Sequence, residues 1–195
     1  MRIFALSLVL ASCATLEGTK PPLQMTLESQ LLGKKVYAQC ALHRAHFFDD
    51  PTRDLASTSR PGARFLALDY QGKPLPLVAK TNRVHPNSIW HVDRISFPTP
   101  FESVMRPLRS PRHLPWIHLR NGNSLLVMVV PENLTDMNAI SRWFAERFAA
   151  EEPAGFARLN PALRSAVTNG RVVVDMTAQQ ASLALCKADR TFVDD

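Results

Sequence analysis

The chain has 195 residues, 46% of them hydrophobic and 21% charged, with a formal net charge of +6. That balance excludes an intrinsically disordered chain, and the length suits one well-buried domain or two small ones. Seven glycines, scattered singly, against 15 prolines make for stiff connections and argue against glycine-rich loops that cradle phosphate.

Arg2 precedes the apolar run Ile3 to Leu10, which closes on Leu10, Ala11, Ser12 and Cys13. The run falls far short of the roughly 20 residues that span a bilayer, so it reads as the apolar part of a signal peptide. Small residues just before a cysteine suit a bilayer-embedded peptidase, and the Cys13 thiol is the nucleophile that takes up a diacylglyceryl group. These residues resemble the lipobox of bacterial lipoproteins. The resemblance implies that residues 1–12 are a signal peptide, 13–30 a lipidated tether and 31–195 a single periplasm-facing domain. Acyl chains contribute about 0.8 kcal/mol per buried methylene, so several together hold a domain at its membrane. Ala14, rather than Asp, after the cysteine implies delivery to the outer membrane. The alternative is an ordinary secretory signal cut after a later small residue, with Cys13 incidental.

In chain order, Thr15, Gly18, Thr19, Lys20, Pro21 and Pro22 give 14–30 a tether composition. Lys35 to Phe48 reads as a strand with partial alternation, and Asp49 to Pro61 as a polar loop. Arg64–Tyr70 and Pro74–Lys80 flank Gln71, Gly72 and Lys73 as a hairpin whose second arm, carrying Pro74 and Pro76, should be an edge. Ser88 to Phe97 is a strand ended by Pro98. Five prolines between Pro98 and Pro115, mixed with Arg106, Arg109 and Arg112, predict a long extended loop. Trp116–Leu119 and Ser124–Val130 bracket a turn at Arg120 to Asn123, and the second arm is apolar on both faces, as in a central strand.

Three helices follow by punctuation. Thr135 is the candidate N-cap of the first, with Met137, Ile140, Phe144 and Phe148 at helical spacing and Trp143 beside them. Asn160, Pro161 and Gly170 bracket the second. Thr177 and Gln180 form a capping box that opens the third over Ala178 to Lys187. The predicted fold class is α+β: a mostly antiparallel sheet over about residues 35–130, then two or three packed helices.

The candidate site residues follow from charge and chemistry. Between Gln71 and Pro131, eight basic residues face only Asp93 and Glu102. Arg106, Arg109 and Arg112 are candidate contacts for an anion or partner, with a solvated connection as the plainer alternative. In an envelope the counterparts are an envelope protein or anionic lipid, while nucleic acid is excluded for an exported chain that has no recognisable binding module. Cys40 and Cys186 are an even pair, either a disulfide joining the first strand to the last helix or two buried thiols. Cys40, His43 and His46 tempt a metal assignment, but residues three apart on a strand point to opposite faces, so no metal is expected. No catalytic motif appears, and no cofactor is expected.

Gly170, Val172, Asp175, Met176, Thr177, Gln180, Ala181, Leu183, Leu185, Cys186, Ala188, Asp189 and Arg190 resemble a degraded copy of a motif in small outer-membrane lipoproteins of the BamE/OmlA type. Met176, Thr177, Gln180, Leu185 and Asp189 agree, whereas Asp175, Ala181, Cys186 and Ala188 replace the motif's Gly, Val, Gly and Pro. The resemblance implies a capped helix over a remnant at 170–190, in a truncated version of proteins that bind partners or support outer-membrane assembly without catalysis. The expected function is therefore a non-enzymatic envelope binding or assembly lipoprotein. The alternatives are a periplasmic hydrolase, which needs a pocket gathering His with Asp or Glu, and a degenerate lipoprotein with little activity.

Overall fold

A computed structural model of the chain describes residues 22–48, 50–59, 78, 80–107 and 110–186. Among them, helix α1 (Pro22–Leu31) comes first, then β1 (Lys35–Ala38), β2 (His43–Phe47), β3 (Asp50–Ser57) and β4 (Ile89–Ser96). Helix α2 (Pro100–Met105) separates β4 from β5 (Trp116–Asn121) and β6 (Ser124–Val129). Then come α3 (Met137–Ala145), β7 (Phe148–Ala149), a short 3-10 turn at Phe156–Arg158, α4 (Pro161–Thr168) and α5 (Ala178–Ala184).

The strands make one sheet in the order β2-β3-β6-β5-β4-β1-β7. Its pairings are antiparallel except that of β3 with β6. The α+β class therefore stands. The helices do not simply follow the sheet, because α1 precedes it, α2 interrupts it and β7 returns after α3.

Strand alternation divides the buried side chains between two faces. On one face Ile95, Ile117, Leu119, Leu126 and Met128 pack with Leu27 of α1 and with Ile140, Trp143 and Phe144 of α3, forming the main core. On the other, Phe47, Leu55, Trp116 and Val127 form a smaller cluster. Leu159, Val167, Leu183 and Ala184 make a third, where α4 meets α5.

Several expectations are corrected. Residues 22–30 are not a bare tether: Pro22 opens a helix, Leu27 is fully buried, and the Gln24 amide donates to Ile95 O at 3.3 Å. The span 35–48 is two strands, because Ala38, Cys40, Ala41 and Leu42 are all buried and the chain there crosses from β1, next to β7 in the sheet order, to β2 at the opposite edge. The polar stretch 50–57 is a strand. Its Asp54 carboxylate is neutralised by Arg44 and by Lys80, the latter at 2.6 Å, while Leu55 is fully buried. Within 98–115 the prolines leave 101–106 free. Thr99 caps Glu102 N, and Pro100 occupies the first turn, where its missing N–H costs nothing.

Other elements follow the sequence closely. β4 matches the predicted strand, and β5 and β6 close through Gly122 at φ +54°. Interior β6 lies between β3 and β5. Asn160 caps α4 through Leu163 N at 2.8 Å, and Thr177 and Gln180 form the reciprocal box on α5. The α3 cap is Asp136 rather than Thr135, and Phe148 belongs to β7. The predicted hairpin around Gln71 to Lys73 lies outside the described residues. Val78 and Lys80 do bond to the β2 backbone at His46 and Arg44.

Candidate functional site

β4 and β5 build the floor of a cleft by register alone. Arg94 stands opposite His118 and Ser96 opposite Trp116, while the intervening Ile95 and Ile117 point into the main core. Residues 98–107 and 110–115 fold against this four-residue patch. Phe101, Glu102, Met105, Arg106 and Pro107 from that segment, with Arg53 of β3, complete a cleft of about 330 Å³.

Arg106 holds the segment down. It is 4% exposed, its guanidinium carbon sits 4.0 Å from the Trp116 ring centroid, and Nη1 donates to Arg112 O at 2.7 Å and Leu114 O at 2.6 Å. Nη2 donates to Ser96 O at 3.0 Å and Ser96 Oγ at 3.1 Å. Burial pushes this guanidinium down to about 10, which leaves it cationic at neutral pH. Arg112 in turn donates to Arg106 O and Val104 O, both at 2.8 Å, and so caps the last turn of α2. These two arginines, expected as partner contacts, instead brace their own loop. Arg109 lies outside the described residues.

The open cationic wall comes from elsewhere. Arg53 and Arg94 line the cleft; Arg53 is paired with Asp50 at 2.6 Å, and Arg94 is paired with Glu102. His118 is 8% exposed, and burial, reinforced by Arg53, Arg94 and Arg106, pushes its pKa down to about 3. Its imidazole is therefore neutral at physiological pH, with Nε2 3.3 Å from Ser96 Oγ. Glu102 alone supplies a carboxylate to the lining against three guanidiniums. The result is a cationic, partly apolar recess suited to an anion with a hydrophobic part.

Cys40 and Cys186 are joined by a disulfide with a Cα–Cα distance of 5.2 Å. Cys40 is thus committed to sulfur, and His43 and His46 on β2 stand an odd number of positions apart. No group of three or more His, Cys, Asp or Glu among the described residues could hold a metal ion. A second cavity, about 310 Å³, lies beside the disulfide between Gln39, Glu146, Gln179 and Ser182. Cys13 lies outside the described residues.

Sequence reasoning passed over Arg53, Arg94, Ser96 and His118. The partial signal available for the last three was His118 between Ile117 and Leu119, and Arg94 and Ser96 on either side of Ile95, beside a loop rich in proline and arginine; Asp93 and the irregularity between Val92 and Arg94 interrupt the alternation in β4. No protein-family model, curated protein or solved structure matches this chain.

Proposed function

We propose that this chain is an envelope lipoprotein, anchored to the outer membrane through Cys13, whose domain captures an anionic partner without covalent chemistry. The observation that carries the reading is the cleft, where Arg53 and Arg94, each paired with one carboxylate (Asp50 and Glu102), stand beside the buried cation of Arg106 and exposed apolar side chains. The Cys40–Cys186 bridge suits an oxidising compartment. The capped helix at Thr177 agrees in local form with the BamE/OmlA-type resemblance, and Cys186, where that motif has glycine, is used for the crosslink.

The cleft does gather His118 with Glu102, as a hydrolase reading asks. Its chemistry favours binding nonetheless. Ser96 is 2% exposed and already accepts from Arg106, and an imidazole held near a pKa of 3 is a weak base at neutral pH.

Titration of the full chain with inorganic pyrophosphate, followed by calorimetry at low and high salt, tests the binding reading. Binding that weakens with salt and falls at least tenfold in Arg94→Gln is expected; salt-independent binding, or none, would remove the reading. The address is tested by intact mass and membrane fractionation in a bacterium with two membranes, beside Cys13→Ala. Acyl mass on the chain beginning at Cys13, lost in the variant, supports the anchor.

A further inference from the structure

The α2 end of the sheet carries an unusual pairing of properties. Phe101, Val104 and Met105 are 71%, 74% and 69% exposed on a single helix of six residues. They stand beside Arg94 of the cleft and above Arg112, which fastens the helix C-terminus through Val104 O. Phe101 and Met105 edge the cleft, yet most of their surface, like that of Val104, remains open to solvent. They are placed to enter a soft apolar phase.

We infer that this end docks on an anionic lipid surface, with Phe101, Val104 and Met105 entering the boundary of head groups and acyl chains and Arg94 and Arg53 engaging head-group phosphate. The inference rests on the proposed cleft reading and names its partner. Charge complementarity favours a phosphate-bearing membrane, since Arg94, its side chain 55% exposed and paired with Glu102, stands at the cleft beside the apolar side chains of α2. The shape favours a bilayer over a folded partner, because a protein surface would need a groove fitted to three projecting side chains.

Chain geometry adds a second argument, which rests on the proposed Cys13 anchor. The described chain begins at Pro22, and Gln24 two residues later bonds to Ile95 O, next to the cleft residue Ser96. Residue 22 therefore lies at the α2 end of β4. Nine residue steps separate it from Cys13, a reach of at most about 32 Å. An anchor on Cys13 leaves this end of the domain within reach of the membrane.

The test uses the full chain carrying Cys13→Ala, so that any lipid contact belongs to the folded surface. It is sedimented with large phosphatidylcholine vesicles, with or without one-third phosphatidylglycerol, beside a variant carrying Phe101→Ser, Val104→Ser and Met105→Ser. All three positions face solvent, and circular dichroism checks the fold. At least tenfold stronger partition onto anionic vesicles is expected, reduced tenfold or more in the triple variant; pyrophosphate binding is read on the chain that keeps Phe101 and Met105, because both edge the cleft. Pyrophosphate binding without vesicle binding would overturn the membrane inference and leave the cleft reading standing. Equal vesicle binding by the triple variant would overturn the role of α2. Loss of both would overturn both, and binding of an acidic peptide in preference to vesicles would replace the lipid with a protein partner.

Discussion

The segment 98–115 and the C-terminal helix pair α4–α5 are both appended to the same sheet, and they are held by opposite means. The C-terminal pair is fixed by devices that act locally or covalently: Asn160 and Thr177 cap its helices, Val167 and Leu183 form its own small core, and Cys186 ties it to Cys40. Among the described residues, the α2 segment has no core cluster of its own. It is held by Arg106, whose guanidinium satisfies the carbonyls of Ser96, Arg112 and Leu114 and lies over Trp116. Charge can thus serve as a core residue where the neighbouring carbonyls would otherwise be buried without donors.

Arg106→Met keeps the stem and removes the donors, leaving those carbonyls buried without them. It should lower stability by about 3–5 kcal/mol in chemical denaturation, whereas Arg112→Met, part-exposed, should cost about 1 kcal/mol. Similar small losses for both would dissolve the contrast between the two segments.

Replacing Cys40 and Cys186 together with serine should cost about 2–4 kcal/mol. Hydrogen exchange should then show α4–α5 amides losing more protection than those of β5 and β6. Uniform loss across the sheet would mean that the pair is not a separately fastened unit.

Acid probes the cleft itself. The unfolded His118 takes up a proton below about pH 6.5, while the folded one stays neutral until about pH 3. The unfolded state therefore gains protons first, and stability falls as pH drops below 6.5, at about 1.4 kcal/mol per unit. Above pH 6.5 this group adds no slope. Between pH 6.5 and 5 the loss should be about 2 kcal/mol, and His118→Gln should flatten it. Smallest of all, Asn160→Ala should cost about 1 kcal/mol, confined to α4.

What could be read from the sequence follows the same division. The caps of α4 and α5, the α4 boundary and the β5–β6 hairpin were legible because their signals lie within a few residues of their effect. Asn160 reaches Leu163, and Gly122 sits between the arms it joins. The α2 segment was not. Whether an arginine faces water or donates to buried carbonyls depends on Ser96 and Trp116, ten residues away in either direction. β3 was hidden for a similar reason, since Asp54 looks like a loop residue until Arg44 and Lys80 are beside it. The cleft needed the register of β4 against β5, which no periodicity within one strand can supply.

Because β3 meets β6 in parallel, with Asp54 opposite Leu126 some 72 positions later, no hairpin can make that contact. β5 and β6 can close on each other through their short turn within about 1–10 microseconds, whereas β3 must arrive by a long-range search. Until then β6, apolar on both faces from Leu125 to Val129, forms the open edge of a growing sheet. An unpaired apolar edge is a template for another chain. The strand that ends up between two neighbours is therefore the one most open to intermolecular pairing during folding, and slower docking of β2 and β3 translates directly into aggregation.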